Sequence, residues 1–472
     1  MSRTARHVRR LTATVTTALA GIGSVLALGT PVHSASAVTI GGTSYQKIDG
    51  FGISESFNMA NAIRGLGGTA QRQALDMLFS TSNGAGFSII RNDIPSGSDS
   101  IEPVSPGSPG ATPHYVWNPS NGGTEDGQLW LSLQAKSGYG VTNFYNNAWT
   151  PPSYMTNSAD RGGLCGTPGV SCSSGDWRQA YANYLVQDAK FWASAGATPS
   201  TLGFVNEPAT GTSGFGSTLF TPSQAANFLS VLGPTLRSSN LPTKATCCDT
   251  LGFNQLPAYV SAVEGNSAAN AAVGVFTSHG YSGAPTSPIA SGGRPVWESE
   301  WSVNGNTWDP SWDDGGQADG FTWAQHVYTA MTSGDVNAFF YFWGISTTKH
   351  DSSLIGLTGS TLSPAKRYYA LAGYSRFVRP GATRISAGNA NGLDVVAFRN
   401  TDGSVIVVVL NPGTASSTTT YSVSNAGVTS GTVTPYLTNS GSSLAQQPTI
   451  SLSAGSFTAA VPGRSEMTFR IQ

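Results

Sequence analysis

Between residues 46 and 377 the chain switches repeatedly between two hydrophobic periods, and this alternation restricts its fold more than any other feature. Eight short β-like runs are expected at 46–53, 87–92, 141–146, 202–206, 243–248, 273–278, 295–300 and 336–343. Helical signals lie between them. Trp177, Tyr181, Tyr184, Leu185, Ala189 and Trp192 share one face at a period near 3.6 residues, and Gly196 ends the run. Thr221-Pro222-Ser223-Gln224 is a capping box with proline at the first helical position. Trp323, Val327, Ala330 and Met331 mark another helix, ended by Gly334. Strands alternating with helices give parallel sheets, and eight such units predict an α/β fold, a closed (β/α)8 TIM barrel over 46–377. An open doubly wound sheet is the competing arrangement.

The barrel determines where chemistry belongs. Active sites of this architecture lie at the C-terminal ends of the strands. The long stretch from Ile94 to Gly140, rich in Pro, Gly and Asn, follows the second run and is therefore expected on that face. Beyond Arg379 the helical period is lost. Segments 393–399, 404–410, 420–423, 432–438 and 456–471 alternate between Gly/Asn/Ser turns, with Asp402-Gly403 as a hairpin signal. This predicts a β-sandwich side domain over 378–472. The β-like segment 38–45 precedes the barrel and is expected to supply the side domain with an N-terminal strand.

Residues 1–37 read as an address. Arg3, Arg6, Arg9 and Arg10 precede an apolar, Thr-containing stretch from Leu11 to Leu28, and Ala35-Ser36-Ala37 is a small-residue cleavage site. That order predicts a secretory signal peptide cut after Ala37, hence a secreted, extracellular protein. Export permits disulfides. Cys165 and Cys172 bracket a short Gly/Pro loop, where a local bridge is expected. Cys247 and Cys248 are adjacent, either bridged to each other or buried as thiols. No second pair at metal spacing accompanies them, so no metal site is expected.

Composition removes other classes. Only 10% of the 472 residues are charged, while aromatics reach 10%, which excludes a disordered chain. The formal net charge is -1, and loss of the four leader arginines leaves 20 basic against 25 acidic residues. A nucleic-acid binder needs a basic excess. After the leader no apolar run approaches the roughly 20 residues of a membrane span. Neither nucleic acid nor membrane is an expected partner, and a monomer is expected. G-x-S-x-G and the phosphate-loop pattern are both missing from the chain. The aspartates 309, 313, 314 and 319 lack calcium-loop spacing and are expected to be solvated.

The eight glutamates are few enough to sort. Glu207 follows the apolar run Leu202-Gly203-Phe204-Val205-Asn206 and precedes Pro208, where the fourth run breaks into its loop. Glu298 and Glu300 lie in the seventh run and share a face by strand alternation, with Glu300 nearer the C-terminal end. Carboxylates from the fourth and seventh strands facing each other meet the requirement for glycoside hydrolysis. One protonates the leaving oxygen and the other attacks the anomeric carbon. Glu298 is expected to support the site. Arg91 ends the second run and is placed to orient a carboxylate. Trp149, Tyr281 and Trp343 lie at strand ends, where aromatics stack on sugar faces or pack the core. His279 is expected to hydrogen-bond a catalytic group rather than to react.

Five motifs in order carry a resemblance: Asp49-Gly50-Phe51-Gly52, Ala148-Trp149-Thr150-Pro151-Pro152, Asn206-Glu207-Pro208, His279-Gly280-Tyr281 and Trp297-Glu298-Ser299-Glu300. Together they resemble glycoside hydrolase family 30. Gly84-Ala85-Gly86-Phe87-Ser88-Ile89 and the stretch from Leu164-Cys165 to Asp176-Trp177-Arg178 further resemble its fungal-type xylanase subgroup. The resemblance implies a barrel fused to a β side domain, and a retaining β-glycanase that needs no cofactor. It implies Glu207 as acid/base, Glu300 as nucleophile, Asn206 as the partner of the sugar 2-hydroxyl, and Trp149, Tyr281 and Trp343 around the bond to be broken. It implies plant cell-wall polysaccharide, xylan, as the partner, with β-1,6-galactan or another β-glycan as the alternative. A non-catalytic carbohydrate-binding protein on the same scaffold is the reading from another class. One departure stands out: Met59 aligns where such xylanases carry an arginine for a glucuronic acid branch, and Arg64 lies further on.

Overall fold

The computed structural model describes residues 37–117, 126–158, 162–211 and 216–472. The leader expected over 1–37 lies outside them except for Ala37. The first strand, β1 (Val38–Lys47), precedes eight parallel strands: β2 (Gly50–Ser54), β3 (Ile89–Asp93), β4 (Asn143–Asn147), β5 (Thr201–Gly203), β6 (Lys244–Thr250), β7 (Val273–His279), β8 (Val296–Glu300) and β9 (Ala338–Ser346). They pair in sequence order, and β9 pairs with both β8 and β2, which closes the barrel. The fold is therefore the (β/α)8 barrel rather than the open sheet.

Two strands differ from their sequence pattern. The fourth barrel strand is only Thr201–Gly203, so the backbone leaves the ladder before Glu207. Phe204 and Val205 stay buried beyond it, and the Phe204 carbonyl accepts the Tyr181 hydroxyl at 2.7 Å. Apolar side chains there fill the core without ladder bonds, which a pattern of buried residues does not distinguish. The fifth strand runs past the expected end at 248 to Thr250 and so carries Asp249.

The helices are α1 (Met59–Leu66), α2 (Gly68–Phe79), α3 (Gln128–Tyr139), α4 (Arg178–Ser194), α5 (Pro222–Ser238), α6 (Leu256–Glu264), α7 (Ser267–Asn270), α8 (Gly320–Thr332) and α9 (Lys366–Ser375). The capping box at Thr221 forms as its sequence requires, with Gln224 N–H donating to Thr221 Oγ1 and Thr221 N–H to Gln224 Oε1. The stretch from Ile94 to Gly140 is not loop throughout. Its last part is the 12-residue α3, which buries Leu129, Leu131 and Ala135. A short hairpin, β10 (Ser353–Thr358) with β11 (Thr361–Pro364), extends the sheet beside the upper half of β9.

The second sheet contains β12 (Thr383–Ala387), β13 (Asp394–Arg399), β14 (Val405–Asn411), β15 (Ser417–Ser422), β16 (Gly431–Thr438), β17 (Ala445–Gln446), β18 (Ile450–Leu452), β19 (Ser456–Val461) and β20 (Ser465–Ile471). β1 joins it, antiparallel to β12 and parallel to β15. The segment 456–471 is two strands rather than one, broken at Pro462-Gly463-Arg464. This curled sheet forms the β-sandwich domain. Its strands β13 and β14 are buried on both faces. Val395, Ala397, Val405, Val407 and Val409 fill the sandwich core, while Val396, Phe398, Ile406 and Val408 join the barrel-side core. Two buried faces explain why 405–410 is continuously apolar rather than alternating.

The aspartates expected to be solvated are mostly engaged. Asp319 is buried and caps α8 by accepting Thr322 N–H at 2.7 Å. Asp313 pairs with Arg464 of the sandwich, Asp309 accepts Ser311 N–H at 2.8 Å, and only Asp314 is exposed. Cys165 is joined to Cys172 with their Cα atoms 5.6 Å apart, and Cys247 to its neighbour Cys248. Among the described residues no helix is long and apolar enough to cross a membrane.

Candidate active site

Four barrel strands deliver charge to one point. β3 carries Arg91 two residues before its end and β6 carries Asp249 one before its end, β7 ends with His279 and β8 with Glu300, and the turn after β5 brings Glu207. All five residues are buried. A carboxylate oxygen of Glu207, one of Glu300 and a ring nitrogen of His279 lie within 4.8 Å of one another.

Each oxygen of Glu300 is engaged. Arg91 Nη1 donates to Oε2, and the Tyr281 hydroxyl donates to Oε1 at 2.9 Å. Arg91 also donates through Nη2 to Asn206 Oδ1 at 2.8 Å and to Asp249 Oδ2 at 2.7 Å. Its guanidinium carbon stands 4.2 Å from the centre of the Trp149 ring, a cation–π contact. Burial would favour loss of the Arg91 proton, but Asp249 and Glu300 outweigh it and hold the group charged. Burial and the adjacent Glu300 push the Tyr281 phenol well above its ordinary value, so it stays a donor.

His279 Nδ1 lies 3.0 Å from Glu207 Oε1. Burial acts to lower its pKa, yet the carboxylates of Glu300, Asp249 and Glu207 raise it to about 10. The ring is thus an imidazolium at neutral pH and donates to Glu207. Glu207 Oε2 has no hydrogen-bond partner among the described residues, which leaves it available to a leaving group. Glu207 has φ 47°, an uncommon conformation for a non-glycine residue, and its N–H donates to the Asp249 carbonyl at 2.8 Å.

The donor set of Glu207, His279 and Glu300 has the spacing of a cation site, but its charge is already balanced. A protonated His279 is no ligand, and Arg91 sits on Glu300. The arrangement suits proton transfer and nucleophilic attack better than metal binding.

Glu298 is fully buried below Glu300. It accepts Glu300 N–H at 3.1 Å and Phe340 N–H at 2.9 Å, so it braces β8 against β9. Burial pushes its pKa well above the ordinary value. Gly280 separates His279 from Tyr281 because a Cβ there would come within 2.2 Å of the Trp301 ring. The Asp49-Gly50-Phe51-Gly52 motif lies at the opposite end of the barrel. Asp49 accepts Trp297 Nε1–H at 2.7 Å, and a Cβ at Gly52 would fall 2.3 Å from Phe340. That motif packs the barrel floor and takes no part in the site.

Above the carboxylates opens a cavity of about 500 Å³. Phe57, Trp149, Tyr281, Phe342 and Trp343 give it aromatic walls, and Asn206, Glu207, Glu300, Thr210, Leu251 and Asn304 complete the lining. Apolar rings with a few polar groups suit a ligand that is apolar on its faces and hydroxylated at its edges, as a pyranose is. The structure thus brings together Glu207, Glu300, Asn206, Trp149, Tyr281, Trp343, Arg91, His279 and Glu298. Cys165, Cys172, Cys247 and Cys248 do not line the cavity. Sequence reasoning missed Asp249, Asn147 and Phe57. A polar residue closing the apolar run of β6, at the height of the other strand ends, was the available signal for Asp249.

Residues 36–273 match the family described as O-glycosyl hydrolase family 30, and residues 381–469 match the glycosyl hydrolase family 30 beta sandwich domain. Among solved structures, the catalytic domain of the xylanase C of that family from Talaromyces cellulolyticus is 37% identical, with a TM-score of 0.85 over 92% of this chain and 99% of that one. Among curated proteins, the endo-1,6-beta-D-glucanase BGN16.3 of Trichoderma harzianum is 24% identical over 78% of both chains. The lysosomal acid glucosylceramidase of Mus musculus is 26% identical over 78% of this chain and 75% of its own.

Proposed function

The chain belongs to glycoside hydrolase family 30 and is a glycosidase, and from that premise we propose that it is a secreted, retaining β-glycanase acting on β-1,4-xylan. The observation that carries the proposal is the separation of Glu207 from Glu300, whose nearest carboxylate oxygens lie within 4.8 Å. Retaining glycosidases hold their carboxyls about 5–5.5 Å apart, whereas inverting ones need about 6.5–9.5 Å to admit a water. Glu300, held by Arg91 and Tyr281, attacks the anomeric carbon. Glu207 gives a proton to the departing glycosidic oxygen, then takes one from the water that releases the sugar. Asn206, aligned by Arg91, meets the 2-hydroxyl. The likeness to the Talaromyces xylanase supports xylan as substrate.

The endo-1,6-beta-D-glucanase relative favours a second reading, a β-1,6-glycanase. Product chromatography on xylan, glucuronoxylan, β-1,6-glucan and β-1,6-galactan separates the two. Glu207→Gln and Glu300→Gln are expected to lose nearly all turnover while keeping the fold by circular dichroism. Near-normal hydrolysis by Glu300→Gln would falsify the assignment. The proposal of secretion rests on the basic, apolar and small-residue order of residues 1–37. N-terminal sequencing of the exported protein tests it.

A further inference from the structure

Asp249 makes no contact with the cavity, yet more of the site converges on it than on either carboxylate above. It is fully buried. Its Oδ2 accepts from Arg91 Nη2 at 2.7 Å and from Asn147 Nδ2 at 2.9 Å, and lies 3.7 Å from His279 Nε2. Its Oδ1 accepts from Ser299 Oγ at 2.8 Å. Its own N–H donates to Thr277 Oγ1 at 3.0 Å, and its carbonyl accepts Glu207 N–H at 2.8 Å. The residue has φ 44°, and Glu207, which it holds, has φ 47°. Two non-glycine residues in left-handed conformation, joined by one hydrogen bond, persist only where their surroundings fix them.

We propose that Asp249 is the positioning residue that keeps the two halves of the site in register. Its carbonyl fixes the acid/base Glu207, and its carboxylate fixes the guanidinium that holds Glu300 and faces, across 3.7 Å, the imidazole that holds Glu207. The inference rests on the roles given to Glu207 and Glu300 above. A nucleophile and an acid/base on separate strands need a common reference, because misplacement by about 1 Å costs about 100-fold in rate. Asp249 lies on β6, between the turn after β5 that carries Glu207 and the strand β7 that carries His279, and its carboxylate reaches Arg91 of β3. The carboxylate also sets the charge on His279. The ring faces Glu207 after β5, Asp249 on β6, and Glu298 and Glu300 on β8, with Arg91 as the cation bound to Asp249 and Glu300 and Tyr281 two residues past the end of its own strand. Removing one of these anions leaves burial to lower the His279 pKa.

Asp249→Asn preserves shape and the backbone bond to Glu207 while removing the charge. Two measurements test it together. In the ¹⁵N-histidine spectrum, wild-type His279 is expected to stay protonated past pH 9, and in the variant to titrate about two pH units lower. On soluble xylan, or on whichever polymer of the panel is cut, kcat is expected to fall about 100-fold with KM changed less than about threefold. The alkaline limb of the kcat profile is expected to move with the His279 titration. A His279 titration equal to wild type, or a kcat within about threefold of it, overturns the proposal. So does a loss confined to thermal stability, which is what a merely structural residue gives. Should Asp249→Asn not fold, Ser299→Ala removes a single donor from Oδ1 and leaves the anion in place, so a several-fold fall in kcat is expected while His279 stays protonated. A wild-type kcat overturns the idea. The histidine titration does not depend on substrate. If Glu300→Gln and Glu207→Gln keep full activity, the catalytic assignment fails while the titration still reports on Asp249 alone.

Discussion

Tyr281 donates its phenolic hydrogen to Glu300 Oε1 at 2.9 Å, on the oxygen that Arg91 leaves free. The pair of donors holds the carboxylate at one rotation, with an oxygen near His279 Nδ1 at 3.7 Å. A hydrogen bond to a charged acceptor contributes about 1.5–3 kcal/mol. Tyr281→Phe is therefore expected to lower kcat by about 10- to 100-fold, with a smaller change in KM. Steady-state kinetics on the polymer that is cut check this, and kcat equal to wild type would remove Tyr281 from the set of groups that hold Glu300.

The charge on His279 also affects stability. Its pKa is raised to about 10 in the folded chain from the ordinary 6.5, because Glu300, Asp249 and Glu207 overcome burial. The folded state then binds a proton that the unfolded state lacks between those values. The contribution is complete below pH 6.5 and is lost as pH rises toward 10. Urea unfolding between pH 6.5 and 10 is expected to show stability falling with a slope of about one proton. His279→Gln is expected to flatten that slope. An equal slope in both proteins places the proton elsewhere.

Met59 begins α1 and Arg64 lies near its end, and neither lines the cavity. The cleft walls near Glu300 are Phe57, Trp343 and Asn304 instead, none of them cationic. Cleavage of glucuronoxylan is thus expected to be independent of its acidic branches. Treating the polymer with a glucuronidase first is expected to leave the rate within about twofold, since exposed or absent ion pairs contribute about 0–1 kcal/mol. Products that all carry a branch at one fixed position would refute this.

The barrel was legible because short β-like runs recur between helical signals, even where, as in Asn143–Asn147 and Lys244–Thr250, the strand is partly polar. Their ends were less so. β5 stops at Gly203 because Phe204 and Val205 stay buried without ladder bonds. The two glutamates were legible because few exist and each closes an apolar run. Asp249 was not, because the bonds that define it come from Arg91, Asn147 and Ser299, which are 158, 102 and 50 positions away. Local sequence carries no trace of contacts closed by the barrel. The latch between Arg464 and Asp313 was hidden for the same reason, and its charge read as solvated.

Gly203 tests how tightly the floor of the site is packed. It is the last residue of β5, and a Cβ there would lie 1.9 Å from Asn147 Oδ1 and 2.9 Å from the Tyr145 hydroxyl. Asn147 is fully buried, with Nδ2 donating to Asp249 and to the Val205 carbonyl, so it cannot turn aside without breaking both bonds. Overpacking of this kind costs about 1–3 kcal/mol. Gly203→Ala is expected to lower stability by that amount and to reduce kcat as well, since the displaced amide withdraws a donor from Asp249. Gly138 in α3 is the control: it is exposed, and its Cβ would meet nothing within 4 Å. Gly138→Ala is expected to leave kcat unchanged and to add up to about 1 kcal/mol of stability, because alanine loses less backbone freedom in a helix. Equal behaviour of the two variants in urea unfolding and steady-state kinetics would mean that the contact at Asn147 relaxes freely and that the support beneath Asp249 is loose.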